Sequence, residues 1–215
     1  MIDLLVVGAG PVGLVTSIYA AQKGLEVTVV EPRIGEVDKA CGEGLMPDAV
    51  QRLLRIGIDP IGIDFLGIRY LAGERIAEAR FFNGTGRGVR RTVLQDSLQK
   101  RARELGVNFI EGRVDQIVQC ETSVNAVGIQ CRYLIGADGL HSTVRRQLGV
   151  SVANKREMHL RFGIRQHFST APWSDLVEVH WLSDAEVYIT PVDQEIVGIA
   201  VLGRSNLDLR ATISR

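Results

Sequence analysis

The first strong signal in the chain is an apolar run, Leu4-Leu5-Val6-Val7, that stops at Gly8. So short a run without polar alternation reads as a strand buried on both faces. A helix follows from Pro11 to about Gly24, a C-terminal stop. A second apolar run, Val27-Thr28-Val29-Val30, ends in Glu31. Strand, helix and strand in this order predict a βαβ unit. Further on, a helix is predicted from Pro47 to about Ile56, with Pro47 in its first turn and Ala49, Leu53 and Leu54 on one face. Residues 66–71 and 76–82 read as a hairpin whose second strand alternates as a half-buried strand does, and Asn83 to Gly88 reads as a flexible return. Arg91 opens a helix to about Leu105, with Leu94, Leu98 and Ala102 on one face, and Gly106 ends it.

The second half is mostly strand. Val107 to Ile110, Val114 to Val118 and Val124 to Gly128 read as short strands. A buried strand, Tyr133-Leu134-Ile135, runs into Gly136-Ala137-Asp138-Gly139 and a short helix bearing Ser142 and Arg145. From His159 the chain reads as four successive antiparallel strands, 159–168, 176–182, 186–191 and 196–202, and residues 204–215 show no strong core pattern. The expected fold is α/β. A Rossmann-like nucleotide domain is built from residues 1–64 and 91–152, and a substrate-side β-sheet domain from 65–90 and 153–215.

Composition narrows the function. The 215 residues are 46% hydrophobic and 23% charged, with 25 basic and 25 acidic side chains. A net charge of zero argues against bulk binding to nucleic acid or an anionic membrane. No apolar run approaches the roughly 18–20 residues that span a bilayer. The first strand begins at residue 3 without a basic leader, so no signal peptide is expected. Cys41, Cys120 and Cys131 show no C-x-x-C spacing, and their odd number points to a reducing, cytoplasmic setting. Cys120 and Cys131 read as packing residues, and Cys41 as a small buried hydrophobe or a reactive thiol. The four histidines form no metal-ligand pattern, so no metal is expected.

The candidate chemistry starts at Gly8, Gly10 and Gly13, which make the spacing G-x-G-x-x-G. Gly8 lets the strand turn sharply, Gly10 lets a pyrophosphate approach the backbone, and Gly13 lets the helix pack closely. The helix N-terminus at Pro11 and Val12 offers free N–H groups and a positive dipole end. Glu31 lies 23 residues after Gly8, near the roughly 20 expected of the carboxylate that binds a ribose. Arg33, after Pro32, is either placed to reach the adenosine end of a cofactor or an exposed loop arginine. Asp138, between glycines at the carboxyl end of a strand, is either a ligand-site carboxylate or a helix cap.

The chain resembles the class A flavoproteins: aromatic-ring hydroxylases of the para-hydroxybenzoate hydroxylase type and their geranylgeranyl reductase relatives. The resemblance rests on Gly8-Ala9-Gly10-Pro11-Val12-Gly13 with Glu31, on Arg91-Thr92-Val93-Leu94-Gln95-Asp96-Ser97-Leu98, and on Gly136-Ala137-Asp138-Gly139-Leu140-His141-Ser142-Thr143-Val144-Arg145. It implies FAD as cofactor and NAD(P)H as reductant. The implied contacts are Gly8, Gly10, Pro11, Val12 and Gly13 at the pyrophosphate, Glu31, Pro32 and Arg33 toward the adenosine ribose, and Arg91 at the pyrophosphate or ribityl chain. Val114, Asp138 and Gly139 complete that set. The loop Cys41-Gly42-Glu43-Gly44-Leu45 is similar to a flavin-proximal loop of the reductase branch, which adds Cys41, Gly42 and Gly44.

The implied reaction is NAD(P)H-dependent hydroxylation of a small organic substrate, or, in the reductase branch, hydride delivery to a C=C bond. Members of this family are nearly twice as long and carry a G-D-A-A motif absent from this sequence. The expectation is therefore a truncated chain, a partner polypeptide carrying the missing half, or a nucleotide-binding fragment that is not a catalyst.

Overall fold

The computed structural model describes residues 1–33, 35, 38–150, 161–204, 208 and 211–212. The start of the predicted strand at His159 and most of the segment after Arg204 lie outside them. The chain divides into two compact units: Met1–Val37, Ile56–Ile58 and Leu94–Ala153 form one, and Asp38–Arg55, Asp59–Val93 and Asn154–Arg215 the other.

The first unit is the βαβ unit and its extension. Strand β1 (Ile2–Val7) leads into α1 (Pro11–Gln22) and β2 (Val27–Glu31). The helix ends as its glycine predicts. Gly24 takes a left-handed φ of +79°, and the N–H groups of Gly24 and Leu25 close on the carbonyls of Ala21 and Ala20. Beyond the second unit's insertions come α3 (Arg91–Glu104), whose first three residues cluster with that unit, then β8 (Asn108–Glu111), β9 (Ile117–Gln119), β10 (Val124–Ala126), β11 (Ile129–Gly136) and α4 (Thr143–Gln147). Among the described residues the sheet order is β8-β2-β1-β11-β10-β9. β8, β2, β1 and β11 run parallel, so β1 has a parallel neighbour on each side. Residues 4–7 are accordingly buried, Leu5 and Val6 completely.

Two helix faces differ from the sequence reading. In α3 the buried side chains are Arg91, Gln95, Leu98 and Ala102, so a glutamine takes the core position expected of Leu94. In the second unit's α2 (Pro47–Arg55), Val50 and Leu53 are buried while Leu54 is exposed. The strand at Tyr133 begins earlier than expected, and Tyr133 and Ile135 stay exposed on one face. Cys131 is buried in the core, and burial pushes its thiol pKa up. Cys120, expected to be packed, is exposed, and so is Cys41, which removes its reading as a small buried hydrophobe.

The second unit contains β3 (Gly44–Leu45), α2, β4 (Ile63–Phe65), β5 (Gly67–Ala72), β6 (Arg75–Arg80), β7 (Gly86–Gly88), β12 (Phe162–Ser169), β13 (Val177–Trp181), β14 (Ala185–Asp193) and β15 (Ile196–Gly203). Its larger sheet runs β12-β15-β14-β13-β5-β6. The last four strands of the chain pair antiparallel, as predicted, and β5 joins β13 in parallel. Among the described residues β6 is paired along one side only, and all six of its residues are exposed rather than half-buried.

The return segment is not a loose connection. Gly86-Arg87-Gly88 is the middle strand of a three-stranded sheet, β3-β7-β4. Its glycines are steric requirements. A Cβ on Gly88 would sit 1.7 Å from the Pro191 carbonyl oxygen, and one on Gly86 would sit 2.4 Å from the buried ring of Phe65. These pairings bring residues 38–55 and 59–64 into the second unit, whereas the sequence reading groups them with the nucleotide domain.

Candidate dinucleotide-binding site

In the first unit the carboxyl ends of β1, β2 and β11 lie side by side. Gly8 N–H donates to the Val30 carbonyl at 2.8 Å, and Ala137 N–H to the Val7 carbonyl at 2.7 Å. Strand order reverses here, because β2 and β11 lie on opposite sides of β1, and open α/β sheets bind ligands at such a point. A cleft of about 520 Å³ opens there. Its lining includes the predicted residues Gly8, Glu31, Pro32, Arg33, Val114 and Asp138.

The three glycines carry different loads. Gly8 has φ +106°, and a Cβ on it would lie 2.5 Å from the Ala137 carbonyl oxygen. A Cβ on Gly13 would lie 1.9 Å from the Gly8 carbonyl oxygen, so that glycine seats α1 against the turn. Gly10 is different: a Cβ there would meet nothing within 4 Å. Packing does not require it, so a close-approaching ligand is its remaining steric reason. Gly10 is also the N-cap of α1 and makes no side-chain cap. Pro11 has no N–H to offer, and the Leu14 N–H closes on the Gly10 carbonyl at 2.9 Å. The first turn therefore presents the N–H groups of Val12 and Gly13 and the positive dipole end, a donor set that fits a pyrophosphate.

Glu31 is fastened in place. Its Oε2 accepts the Ala9 N–H at 3.0 Å, and its Oε1 accepts Arg33 Nε at 3.1 Å. Each oxygen keeps a further lone pair, so the carboxylate can still accept ribose hydroxyls. The turn is held from below by Gln95, whose Nε2 donates to the Ala9 carbonyl at 2.5 Å. The sequence reading missed that role; the signal was a polar residue in register with Leu98 and Ala102. Arg113, His141 and Arg146 also line the cleft and were not predicted. With Arg33 they surround it with basic groups suited to an anionic ligand.

Asp138 is held as a cap on the start of α4 while it also lines the cleft. One carboxylate oxygen accepts Ser142 Oγ at 2.5 Å, and the other accepts the N–H groups of Thr143 and Val144 at 2.7 and 3.2 Å. Burial pushes its pKa up, but these hydrogen bonds outweigh burial and leave it below the usual carboxylate value. Its position in the cleft wall is thus set by capping the start of α4, with Gly139 turning the chain at φ +83°. A pKa depressed by folding stabilises the protein above the ordinary value of about 3.9 and ceases to do so as pH falls through the lowered one. Asp138→Ala is expected to cost about 1–2 kcal/mol near neutral pH. The gap to the parent should close on acidification, which urea unfolding across a pH series will check.

The remaining predicted residues, Cys41, Gly42, Gly44 and Arg91, lie in the second unit. There they gather around Glu43, whose carboxylate accepts the Arg91 N–H at 2.9 Å. Among the described residues no group of three or more His, Cys, Asp or Glu is placed to hold a metal, and no helix is long and apolar enough to cross a membrane.

A glycine-rich turn between parallel strands, an open helix N-terminus and an acid at the end of the second strand define a dinucleotide-binding α/β protein. The chain belongs to the FAD binding domain family, whose pattern matches residues 97–210. It is 32% identical over 190 residues to menaquinone reductase of Mycobacterium tuberculosis, covering 80% of this chain and 46% of that one. It is 31% identical over 180 residues to digeranylgeranylglycerophospholipid reductase 1 of Methanococcoides burtonii, covering 71% of this chain and 41% of that one. The chain spans about half the length of the curated relatives it matches. In fold it is similar to p-nitrophenol 4-monooxygenase PnpA of Pseudomonas putida, with a TM-score of 0.76 at 16% identity over all of this chain and 61% of that one.

Proposed function

We propose that this chain carries the FAD-binding half of a flavin-dependent oxidoreductase that takes its electrons from NAD(P)H. The observation that carries the reading is Gly10, a residue with open space at its Cβ beside an uncapped helix N-terminus. In the proposed complex Gly10, Val12 and Gly13 hold the pyrophosphate through the backbone, and Glu31 holds the adenosine ribose. Arg33, Arg113 and Arg146 balance the ligand's charge. Bound FAD would supply two-electron transfer between NAD(P)H and the substrate.

Two chemistries fit this half-site. Hydroxylation of a small organic substrate is supported by the shared fold of the monooxygenase. Reduction of a C=C bond in a prenylated substrate is favoured by the two relatives described above, at 32% and 31% identity, both named reductases, and by the Cys41–Leu45 loop. We therefore place reduction first. The half of the relatives' length without a match here would complete the site, on the same polypeptide or on a complementing one. A cytoplasmic location belongs to the same reading.

The test is made on the purified chain, alone and mixed with the complementary half of a relative. A protein-shifted flavin spectrum retained after gel filtration supports the FAD reading. Anaerobic, NAD(P)H-dependent saturation of a prenyl substrate then supports the reductase, whereas turnover that consumes oxygen and yields a hydroxylated product supports the monooxygenase. A folded chain that retains no flavin in either preparation overturns both.

A further inference from the structure

The outer strand of the larger sheet has an open edge. Among the described residues β6 pairs only with β5, in a continuous register from Arg75 opposite Ala72 to Arg80 opposite Gly67. The phase of that ladder is fixed just past its end, where the Phe81 N–H closes on the Leu66 carbonyl at 2.9 Å. Hydrogen-bonded and non-hydrogen-bonded pairs alternate along an antiparallel ladder. Arg75, Ala77 and Ala79 therefore exchange hydrogen bonds with β5, while Ile76, Glu78 and Arg80 turn their N–H and C=O groups outward.

Sheet edges in soluble proteins are commonly guarded by a proline, a bulge or an unpaired lysine. β6 contains neither proline nor lysine, and its register with β5 has no bulge. Two of its charges are neutralised within the chain. Glu78 accepts Arg69 Nε at 2.7 Å, and Arg80 grips both oxygens of Asp175 at 2.9 and 3.3 Å. The middle of the edge is apolar: Ile76 is 63% exposed, and Ala77 beside it is exposed as well. Both line an apolar cleft with Tyr70, Leu71 and Trp181.

We propose that β6 pairs antiparallel with β6 of a second copy of this chain, across a two-fold axis at Ala77, and so joins two larger sheets into one. Backbone phase and charge together select that register. A two-fold pairing sets outward-turned residues opposite each other, so its axis must pass through a residue. Only axes at Ala77 and at Glu78 keep five of the six strand residues paired. An axis at Glu78 would put two carboxylates directly opposite, which destabilises a strand pair. An axis at Ala77 puts alanine against alanine. Ile76 with the partner's Glu78, and Glu78 with the partner's Ile76, become the hydrogen-bonded pairs. Glu74, in the hairpin turn, comes opposite the partner's Arg80, and Arg75 comes opposite the partner's Ala79. Opposite charges thus meet at both ends of the seam, and like charges stay apart.

The pairing needs no cofactor, so it is tested on the purified chain whether or not FAD is retained. Sedimentation velocity over a concentration series should show a monomer–dimer equilibrium. Ala77→Lys places two cations face to face at the axis and should weaken dimerisation about tenfold or more. Because Ala77 is exposed in one copy, circular dichroism and thermal unfolding of the dilute variant should match the parent.

Cysteine scanning reads the register, in a background carrying Cys41→Ser and Cys120→Ser. Opposite residues of a non-hydrogen-bonded pair have Cα atoms about 4.5 Å apart, within disulfide reach, whereas diagonal neighbours lie about 7–8 Å apart. Ala77→Cys should therefore form a disulfide-linked dimer under mild oxidation about tenfold faster than Ile76→Cys, Glu78→Cys or Ala79→Cys. A monomer at every concentration would overturn the proposal. Fastest cross-linking at position 76, 78 or 79 would overturn it too, because the seam would then lie in a register that the charges do not select.

Discussion

Gly10→Val should abolish stable FAD retention while leaving the protein folded. The backbone at Gly10 has φ −71° and ψ 174°, which any L residue adopts, and no heavy atom lies within 4 Å of the Cβ position. The stability cost should stay within about 1 kcal/mol, the difference between glycine and an apolar residue at an N-cap. The added isopropyl group, however, would occupy the space through which a phosphate reaches the N–H groups of the first turn. A loss of at least about a hundredfold in affinity, or ~2.7 kcal/mol, is expected. Flavin fluorescence titration alongside thermal unfolding separates the two effects. Parent-like affinity would mean that the pyrophosphate does not lie over this turn.

Gly13→Ala should fail in the opposite way, by loss of stability. Its Cβ would fall 1.9 Å from the Gly8 carbonyl oxygen, with the Ala137 methyl at 3.3 Å behind it. The first obstacle is backbone, so no side-chain rotation relieves it. Either α1 must move off the sheet or the turn must open, and the turn is tied by Gln95 to Ala9 and by Ala9 to Glu31. A cost of about 3 kcal/mol or more is expected from overpacking of this kind, with a fall in Tm of about 6–12 °C for a chain of this size. Calorimetry of the cofactor-free protein tests it, because the clash exists without a ligand. Unchanged stability would show that α1 does not pack as closely as the structure has it. Two glycines three residues apart thus have different reasons to be glycine, and the G-x-G-x-x-G spacing alone does not separate them.

Much of the nucleotide half was legible because its signals are local. A short unbroken apolar run makes a central strand, Gly24 ends a helix through its own φ, and Glu31 closes the second strand. The alternation in Val177 to Trp181 likewise marks a sheet strand. The candidate site was legible as far as the turn and its acid. Asp138 had two readings in sequence, and its three hydrogen bonds to the start of α4 show that it caps that helix while it lines the cleft.

What required the tertiary structure was partnership over long separations. Gly86-Arg87-Gly88 has the composition of a loose loop, yet it is a central strand because β3 and β4 supply its hydrogen bonds and Pro191 and Phe65 crowd its glycines. β5 and β13 are more than 100 residues apart, and their pairing leaves no trace in either segment's periodicity. Gln95 and Glu43 are polar residues whose burial makes sense only once Ala9, His167 and Arg91 are beside them. Periodicity and turn chemistry act over a few residues, so the sequence by itself determined most of the elements and the glycine-rich turn. Satisfying a buried polar group depends on which distant atoms arrive next to it, and that only the tertiary structure decided.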